Sequence, residues 1–212
     1  SITMNAAGAG GQASATAGQI TLNNSNALST NHGNIALNAG TLTTPGVVSL
    51  NSATLSSNGG DITLSNMPSA AGGAGSTSGS SQGVYLFNTT LNAGGGNILM
   101  MGQGPRSGPT PANDFGVIFD GNNTVTTAGA GAITMIADGG TVSASVRAGG
   151  FFNTGLANIS TADGNIDITA IGNASGLAGK AAFYVIASAT GLNIYSNTGS
   201  IGLTAISNVS NA

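Results

Sequence analysis

Residues 33–40 read GNIALNAG, and close variants of this phrase return along the chain. The variants are GDITLSN, GNILMMG, GAITMIA, GNIDITA and GSIGLTA, and the opening stretch SITM is related to them. The first isoleucines of these phrases lie 33, 27, 36, 35, 33 and 35 residues apart, at Ile2, Ile35, Ile62, Ile98, Ile133, Ile166 and Ile201. A repeat of this length is typical of proteins in which one supersecondary unit stacks on the next.

Each repeat contains two further apolar phrases besides the isoleucine phrase. One of them is centred seven or eight positions before the isoleucine, on Leu28, Leu55, Leu91, Val125, Ile159 and Ile194. The other comes earlier still and reads GQITL, GVVSL, GVYLF, GVIFD, GGFFN or AAFYVI. One repeat therefore holds three short strands and two tight corners, and a single connection carries nearly all of the variation in length.

The isoleucine phrase alternates in the manner of a β-strand. A period of two places Ile35 and Leu37 on one face and Ala36 on the other. β-Branched residues suit a pleated surface, and glycine suits corners that require a positive φ or a close approach of two backbones. Helix is not expected, because no window has the 3.6-residue period and the chain has no Glu.

The sequence therefore predicts an all-β fold in a single domain over residues 1–212. The predicted fold is a right-handed parallel β-helix (β-solenoid) with three strands per turn, about six turns of 27–36 residues, and variable loops on one edge. Each strand pairs with its equivalent one turn along, about 4.8 Å away, so each slot requires one residue type. Amide ladders are expected at the corners from Asn34, Asn97 and Asn165.

The alternation also predicts which side chains fill the interior. Two positions in each isoleucine phrase share the same face, and they are expected to point inward in two columns. The predicted columns consist of Ile35, Leu37, Ile62, Leu64, Ile98, Met100, Ile133, Met135, Ile166 and Ile168.

Charge and composition exclude several classes of protein. The chain has three Lys and Arg residues against six acidic ones and a net charge of −3, so it offers no basic surface for nucleic acid or anionic lipid. The longest apolar run, residues 181–189, is too short to cross a bilayer. Neither nucleic-acid binding nor membrane insertion is expected.

Residues that could perform catalysis are scarce. The chain has no Cys or Glu and a single histidine, His32, which excludes a Cys/His pair or an HExxH zinc site. The six aspartates form no cluster with a basic residue, and a P-loop-like stretch ending at Lys180 has Ala174 and Ala181 where Gly and Ser or Thr are required. We therefore expect no enzyme activity, cofactor or metal. A polysaccharide-active β-helix and ice binding through the Ser/Thr-rich third strand stay as minor alternatives.

The GxIxL phrases, the Ser/Thr/Asn-rich third strands and the Glu- and Cys-poor composition resemble a known class of protein. This class comprises the filamentous-haemagglutinin-like exoproteins that Gram-negative bacteria export by two-partner secretion, together with the related autotransporter passengers. The resemblance implies a secreted or cell-surface adhesin whose β-helix is a shaft, in an extracellular location.

Aromatic residues concentrate in the second strand of the repeat. Seven of the nine lie there, at Tyr85, Phe87, Phe119, Phe151, Phe152, Phe183 and Tyr184. Two interpretations remain open. The rings form an internal stack with an outer face covered by the adjacent loop, or some of them form a contact surface for a neighbouring chain or a glycan.

The variable connection after the first strand is the second unusual feature. It spans residues 67–82, 102–115, 137–149 and 171–181 in successive repeats and carries all three cations. Solenoids place insertions on one face, often the binding face, so these connections are expected to form one ridge. The alternative is that they are tolerated surface loops. The candidate contact surface predicted from both features consists of Arg106, Arg147, Lys180, Tyr85, Phe87, Phe119 and Tyr184.

The sequence favours a non-catalytic structural or adhesive segment of a secreted or cell-surface bacterial protein. The alternative is a self-assembling extracellular filament or sheath subunit that stacks end to end. Both the opening strand and the final stretch, residues 200–212, lack a charged or helical cap, so we expect either a segment of a longer solenoid or ends that meet other chains. The expected partners are other copies of the chain or adjoining turns, with a host receptor or a glycan as further candidates.

Overall fold

The structure, a computed structural model, describes residues 1–6, 18–40, 46–67, 82–104, 113–140, 147–172, 182–186 and 191–207. Within these ranges it contains nineteen β-strands in three sheets, and each sheet takes every third strand of the chain. Neighbouring strands are parallel throughout the three sheets, as in the pairs β1–β4, β2–β5 and β3–β6. The fold is therefore the three-sheet parallel β-solenoid that the repeat predicts, and its right-handed sense stays a prediction.

The three apolar phrases of each repeat form the three sheets. The first sheet consists of β1 (Ile2–Ala6), β4 (Ile35–Ala39), β7 (Ile62–Ser65), β10 (Ile98–Gln103), β13 (Ile133–Asp138), β16 (Ile166–Gly172) and β19 (Ile201–Ser207). The second sheet consists of β2 (Gly18–Leu22), β5 (Gly46–Asn51), β8 (Gln82–Phe87), β11 (Asn113–Asp120), β14 (Arg147–Asn153) and β17 (Phe183–Val185). The third sheet consists of β3 (Ala27–Ser29), β6 (Thr54–Ser56), β9 (Thr90–Asn92), β12 (Asn122–Thr127), β15 (Leu156–Thr161) and β18 (Gly191–Ser196).

The register of the first sheet confirms the repeat. Ile2 pairs with Ile35, Ile35 pairs with Ile62, and the same slot continues through the other isoleucine phrases to Ile201. The two inward columns are also confirmed, because all ten side chains assigned to them are at most 1 % exposed. Isoleucine recurs at the same position of each repeat because the isoleucines of successive turns stack on one another.

The glycine that begins each isoleucine phrase is required by close stacking. A Cβ atom added at Gly60, Gly96 or Gly164 would meet the carbonyl oxygen of the glycine one turn below at less than 3.0 Å, a distance that real Cβ atoms do not reach. Positive φ angles occur at other corner positions, such as Gly95 with a φ of 133° and Gly129 with a φ of 54°. The two roles expected for glycine therefore belong to different positions of the corner.

Hydroxyl side chains at the end of the third-sheet strands bind the same glycine column. The Thr127 Oγ1 donates to the Gly96 carbonyl at 2.6 Å, and the Thr161 Oγ1 donates to the carbonyl of the corresponding glycine one turn later at 2.8 Å. The Ser196 Oγ repeats the contact with Gly164 at 2.9 Å. These bonds satisfy carbonyl groups at a buried corner, which explains why the third phrase ends in Ser or Thr in every repeat except the one that has Ala93.

The predicted variable connections lie largely outside the described residues, and so does the ridge expected from them. Their ends differ from the prediction, because β10 continues to Gln103, β13 continues to Asp138 and β14 begins at Arg147. The physical reason is a second glycine column. A Cβ atom at Gly83 or Gly116 would collide with the backbone of Gln103 or Asp138, respectively. Strands of the first and second sheets therefore cross in direct backbone contact before each connection begins.

Candidate functional site

The outer face of the second sheet carries a hydrophobic cluster that is separate from the main core. The register places Ile118 opposite Tyr85 on one side and opposite Phe152 on the other, and Phe152 opposite Tyr184. Phe115 stacks on Phe152 with ring centroids 4.3 Å apart and an interplanar angle of 6°. Phe115, Ile118 and Phe152 are buried, whereas the two tyrosines are only partly buried. The cluster thus has a buried apolar centre with tyrosines at its margin.

Tyr85 belongs to a polar cross-brace at this margin. Its hydroxyl group donates to the Asp120 Oδ2 at 3.1 Å, while the Asp120 Oδ1 accepts from the Thr154 Oγ1 at 2.6 Å and from the Gly121 N–H at 2.9 Å. Burial, the negative charge of Asp120 and the hydrogen bond to Asp120 together raise the pKa of Tyr85 to about 12, with burial as the largest cause. The brace joins three successive turns, and no motif in the sequence predicts it.

The aromatic residues of the predicted contact surface differ in how deeply the structure buries them. Tyr85 and Tyr184 each pack against the outer cluster, in strands β8 and β17. Phe87 is half-buried and lies two residues after Tyr85 in β8. Phe119 is fully buried in the main core, where it meets Phe151 edge to face at 5.3 Å, so it cannot contact another molecule. The reason is the register, which pairs Tyr85 with Ile118 and leaves Phe119 on the inner face.

The predicted cations are not brought to this face by any described contact. Arg106 and Lys180 lie outside the described residues. Arg147 begins β14, where its backbone pairs with Asn113, and its side chain is outside the described part of the structure. The combination of cations and aromatic residues therefore stays a prediction, with Tyr85, Phe87 and Tyr184 as its described members.

The corner before each isoleucine carries a ladder, but its chemistry differs from the one predicted. The Asp61 N–H donates to the Asn34 Oδ1 at 2.9 Å, and the Asn97 N–H donates to the Asp61 Oδ1 at 2.8 Å. The Ala132 N–H continues the ladder by donating to the Asn97 Oδ1 at 3.0 Å, and the Asn165 Oδ1 accepts from the next turn in the same way. A ladder is therefore present at Asn34, Asn97 and Asn165, but their side-chain oxygens bind the backbone of the following turn, and the Asn97 Nδ2 also donates to the Asp61 Oδ1 at 3.2 Å.

A buried polar column follows the crossing of the first and second sheets. The Asn66 side chain accepts from the Gln103 N–H at 2.7 Å and donates to the Gln103 carbonyl at 2.9 Å. The Gln103 Nε2 donates to the Asp138 Oδ2 at 2.8 Å, and the Asp138 Oδ1 accepts from the Gly140 N–H at 2.9 Å. Asp138 is only 6 % exposed, so this carboxylate is held between turns and is not offered to solvent.

The outer face of the third sheet is a small polar stripe formed by its Ser-, Thr- and Asn-rich phrases. The Ser160 Oγ donates to the Thr126 Oγ1 at 3.4 Å, and the Asn193 Nδ2 donates to the Asn158 Oδ1 at 2.9 Å. His32 lies at an exposed corner with a φ of 61°, and its Nδ1 is 2.8 Å from the Asn31 Oδ1. Side-chain bonds of this kind add modestly to sheet stability.

No group of three or more His, Cys, Asp or Glu side chains suited to a metal ion occurs among the described residues. The described residues also include no helix that is long and apolar enough to span a membrane. No protein-family model, curated protein or solved structure matches the chain.

Proposed function

We propose that the chain is a non-catalytic shaft segment of a secreted or cell-surface bacterial protein, in the manner of the filamentous-haemagglutinin-like exoproteins that its sequence resembles. The observation that carries this proposal is the unbroken register of the first sheet from Ile2 to Ile201. Each turn contacts only its neighbours, so length can be added or removed in whole turns without a new core. A shaft requires this property.

The use of the carboxylates supports a non-catalytic role. Asp61, Asp120 and Asp138 each accept hydrogen bonds that join one turn to another. Asp163 does the same, because its Oδ1 accepts from the Thr198 Oγ1 at 3.0 Å. A general acid or base must be able to exchange a proton with a substrate. These four side chains instead bind backbone or polar groups of adjoining turns.

Deletion of one whole repeat tests the shaft proposal. Removal of residues 98–132 joins Asn97 to Ile133, so that β13 stacks on β7 with Ile133 above Ile62. We expect this variant to fold with the circular dichroism of the parent and to be shorter by about 4.8 Å in solution scattering. Deletion of residues 98–115 is the matched control, because it removes half a repeat and should prevent folding by breaking the register.

Two results would overturn the proposal. Unfolding of the whole-repeat variant would show that the turns are not interchangeable units. Hydrolysis of a polysaccharide by the purified chain would show that the solenoid carries an active site.

Adhesion through the outer face of the second sheet is a second candidate function. It is favoured by the partial exposure of Tyr85 and Phe87 in β8 and of Tyr184 in β17, on either side of the buried centre of the outer cluster. Aromatic side chains with one apolar face and one polar tip are common at the centres of binding surfaces. On a glycan array or on host cells, Tyr184→Ala should reduce binding at least tenfold. Tyr195→Ala removes an exposed tyrosine from the third sheet and should leave binding unchanged. Equal binding by both variants would exclude this face.

A further inference from the structure

The corner between β6 and β7 contains the only Asn-Gly pair of the chain, Asn58–Gly59. Asn58 is exposed and has a φ of 51°. An asparagine followed by glycine is prone to lose its side-chain amide, because glycine has no Cβ to keep its backbone nitrogen away from the preceding side chain. The pair therefore has the chemistry of a deamidation site, and its neighbours in the stack decide whether it reacts.

Hydrogen bonds from the two adjoining turns engage the groups that would react. The Gly59 N–H, whose nitrogen is the nucleophile of deamidation, donates to the Ala93 carbonyl at 2.6 Å. The Asn58 Nδ2, which is the leaving group, donates to the Thr30 carbonyl at 2.9 Å. The Asn58 Oδ1 accepts from the Ser56 Oγ at 3.2 Å. The nucleophile is thus bound to the following turn and the leaving group to the preceding turn.

Close packing of the corners restrains the pair further. A Cβ atom added at Gly94, in the following turn, would lie only 2.9 Å from the Asn58 Cα. On the side of the preceding turn, the His32 ring lies against Gly59, with its Cδ2 3.0 Å from where a Cβ atom of Gly59 would stand. The Asn58 side chain and the Gly59 nitrogen can therefore form a ring only after the neighbouring corner has moved away.

We propose that Asn58 is a modification site, which is deamidated when the corner between β9 and β10 separates from it. In this reaction the Gly59 nitrogen forms a bond to the Asn58 Cγ while the bond from Cγ to Nδ2 breaks. The amide nitrogen leaves as ammonia and takes up the Gly59 N–H proton. Water then hydrolyses one of the two C–N bonds of the resulting succinimide, which yields aspartate or isoaspartate. Water is the only co-reactant.

The modification would prevent the corner from closing again as before. A carboxylate at position 58 cannot donate to the Thr30 carbonyl, and it places a negative charge beside this acceptor. Isoaspartate also adds a carbon atom to the backbone between β6 and β7. The reaction therefore leaves a permanent mark on a solenoid whose turns have separated at this corner. This property goes beyond the shaft role, which requires no covalent change.

Peptide mapping by mass spectrometry tests the proposal on the 212-residue chain during long incubation at neutral pH. In urea that unfolds the chain, Asn58 should be deamidated faster than any other asparagine. In the folded chain, its deamidation should be at least about tenfold slower, because the reaction proceeds only from the locally opened state. Hydrogen exchange of the Gly59 N–H reports this opening independently, since the same bond to Ala93 must break.

Two glycine variants test whether the following turn controls the reaction. Gly94→Ala places a Cβ atom against Asn58 and should accelerate its deamidation several-fold, because the two corners must separate to admit the new atom. Gly129→Ala is the matched control. Gly94 and Gly129 have similar φ angles of 65° and 54°, so both variants carry the same backbone strain. A Cβ atom at Gly129 has no neighbour within 4 Å, and this variant should keep the parent rate.

Circular dichroism establishes that both variants are folded. If Gly94→Ala does not fold, the parent chain in urea below its unfolding transition replaces it, and deamidation of Asn58 should increase in parallel with exchange of the Gly59 N–H. Three results would overturn the proposal: equal deamidation rates in the folded and unfolded chains, equal rates in the two glycine variants, or rates that do not follow the exchange of Gly59. None of these measurements depends on the shaft role or on adhesion, so the proposals can fail separately.

Discussion

The first and second sheets follow the same stacking rule, yet they bury their side chains differently. In β10 of the first sheet, Ile98 and Met100 are buried and Leu99 between them is partly exposed. In β11 of the second sheet, Phe119 faces the main core, while the neighbouring Ile118 is only 5 % exposed and belongs to the outer cluster. Alternation identifies the inner face of a strand only where the outer face meets water.

The largest expected effect distinguishes the outer faces of the two sheets. Phe152→Ala removes a ring that stacks on Phe115, and we expect it to lower the free energy of unfolding by about 3–5 kcal/mol, as for a core phenylalanine. Thr134→Ala changes the outer face of the first sheet and should stay within about 0.5 kcal/mol of the parent. Urea unfolding measures both. A loss below about 1 kcal/mol for Phe152→Ala would show that the outer cluster contributes no more to stability than exposed residues do.

The second effect compares the same position of the repeat in a central strand and in the last strand of the first sheet. Ile98→Ala should lower the free energy of unfolding by about 2–5 kcal/mol, because Ile98 is covered by a turn on each side. Ile201→Ala alters the same slot where the side chain is 45 % exposed, and the expected loss is only about 1 kcal/mol. Equal losses for the two variants would contradict the stacking argument.

The third effect tests the glycine column at the corner that leads into the first sheet. A Cβ atom at Gly164 would strike the Gly131 carbonyl, a backbone group that cannot move without shifting the turn below. Gly164→Ala should therefore cost about 1–3 kcal/mol or more. Gly129→Asn is the control, because a Cβ there has no neighbour within 4 Å and asparagine tolerates its φ of 54°. A stable Gly164→Ala variant would show that the corners can separate.

Sequence reasoning succeeded where side chains repeat in a column and failed where a contact depends on the turn next to it. The spacing of Ile35, Ile62 and Ile98 determines the architecture and the inner columns, because equivalent strands pair in register. The position of Phe119 could not be read in this way, since the second-sheet phrases differ in length and the register alone decides which ring points inward.

The polar contacts were predicted less well, for a related physical reason. The brace between Tyr85, Asp120 and Thr154 joins residues from three turns, and no local motif marks them as partners. The corner ladder includes Asp61, which a search for repeated asparagines overlooks. A weaker signal was present, because Asp61 occupies the same slot as Asn34 and both offer a side-chain oxygen to the next turn.

The smallest effect concerns pH and returns to the outer face of the second sheet. A tyrosine in an unfolded chain titrates near pH 10, whereas burial, together with Asp120, raises the pKa of Tyr85 to about 12. The folded chain therefore holds this proton more tightly than the unfolded chain does. The contribution to stability is fully present below pH 10, and it is lost as the pH rises from about 10 to about 12.

Two variants distinguish the contribution of Tyr85 from general alkaline unfolding. Tyr85→Phe removes the titrating group, so the free energy of unfolding should fall less between pH 10 and 12 than it does in the parent chain. Asp120→Asn keeps a hydrogen-bond acceptor but removes the negative charge, so the pKa of Tyr85 should decrease and the decline should be intermediate. Absorbance of the phenolate follows the titration of Tyr85 directly in the parent chain and in Asp120→Asn. If Tyr85→Phe loses stability as steeply as the parent, the outer face does not shield its tyrosine from water. The contrast between the two sheets would then rest on the buried Phe115, Ile118 and Phe152 alone.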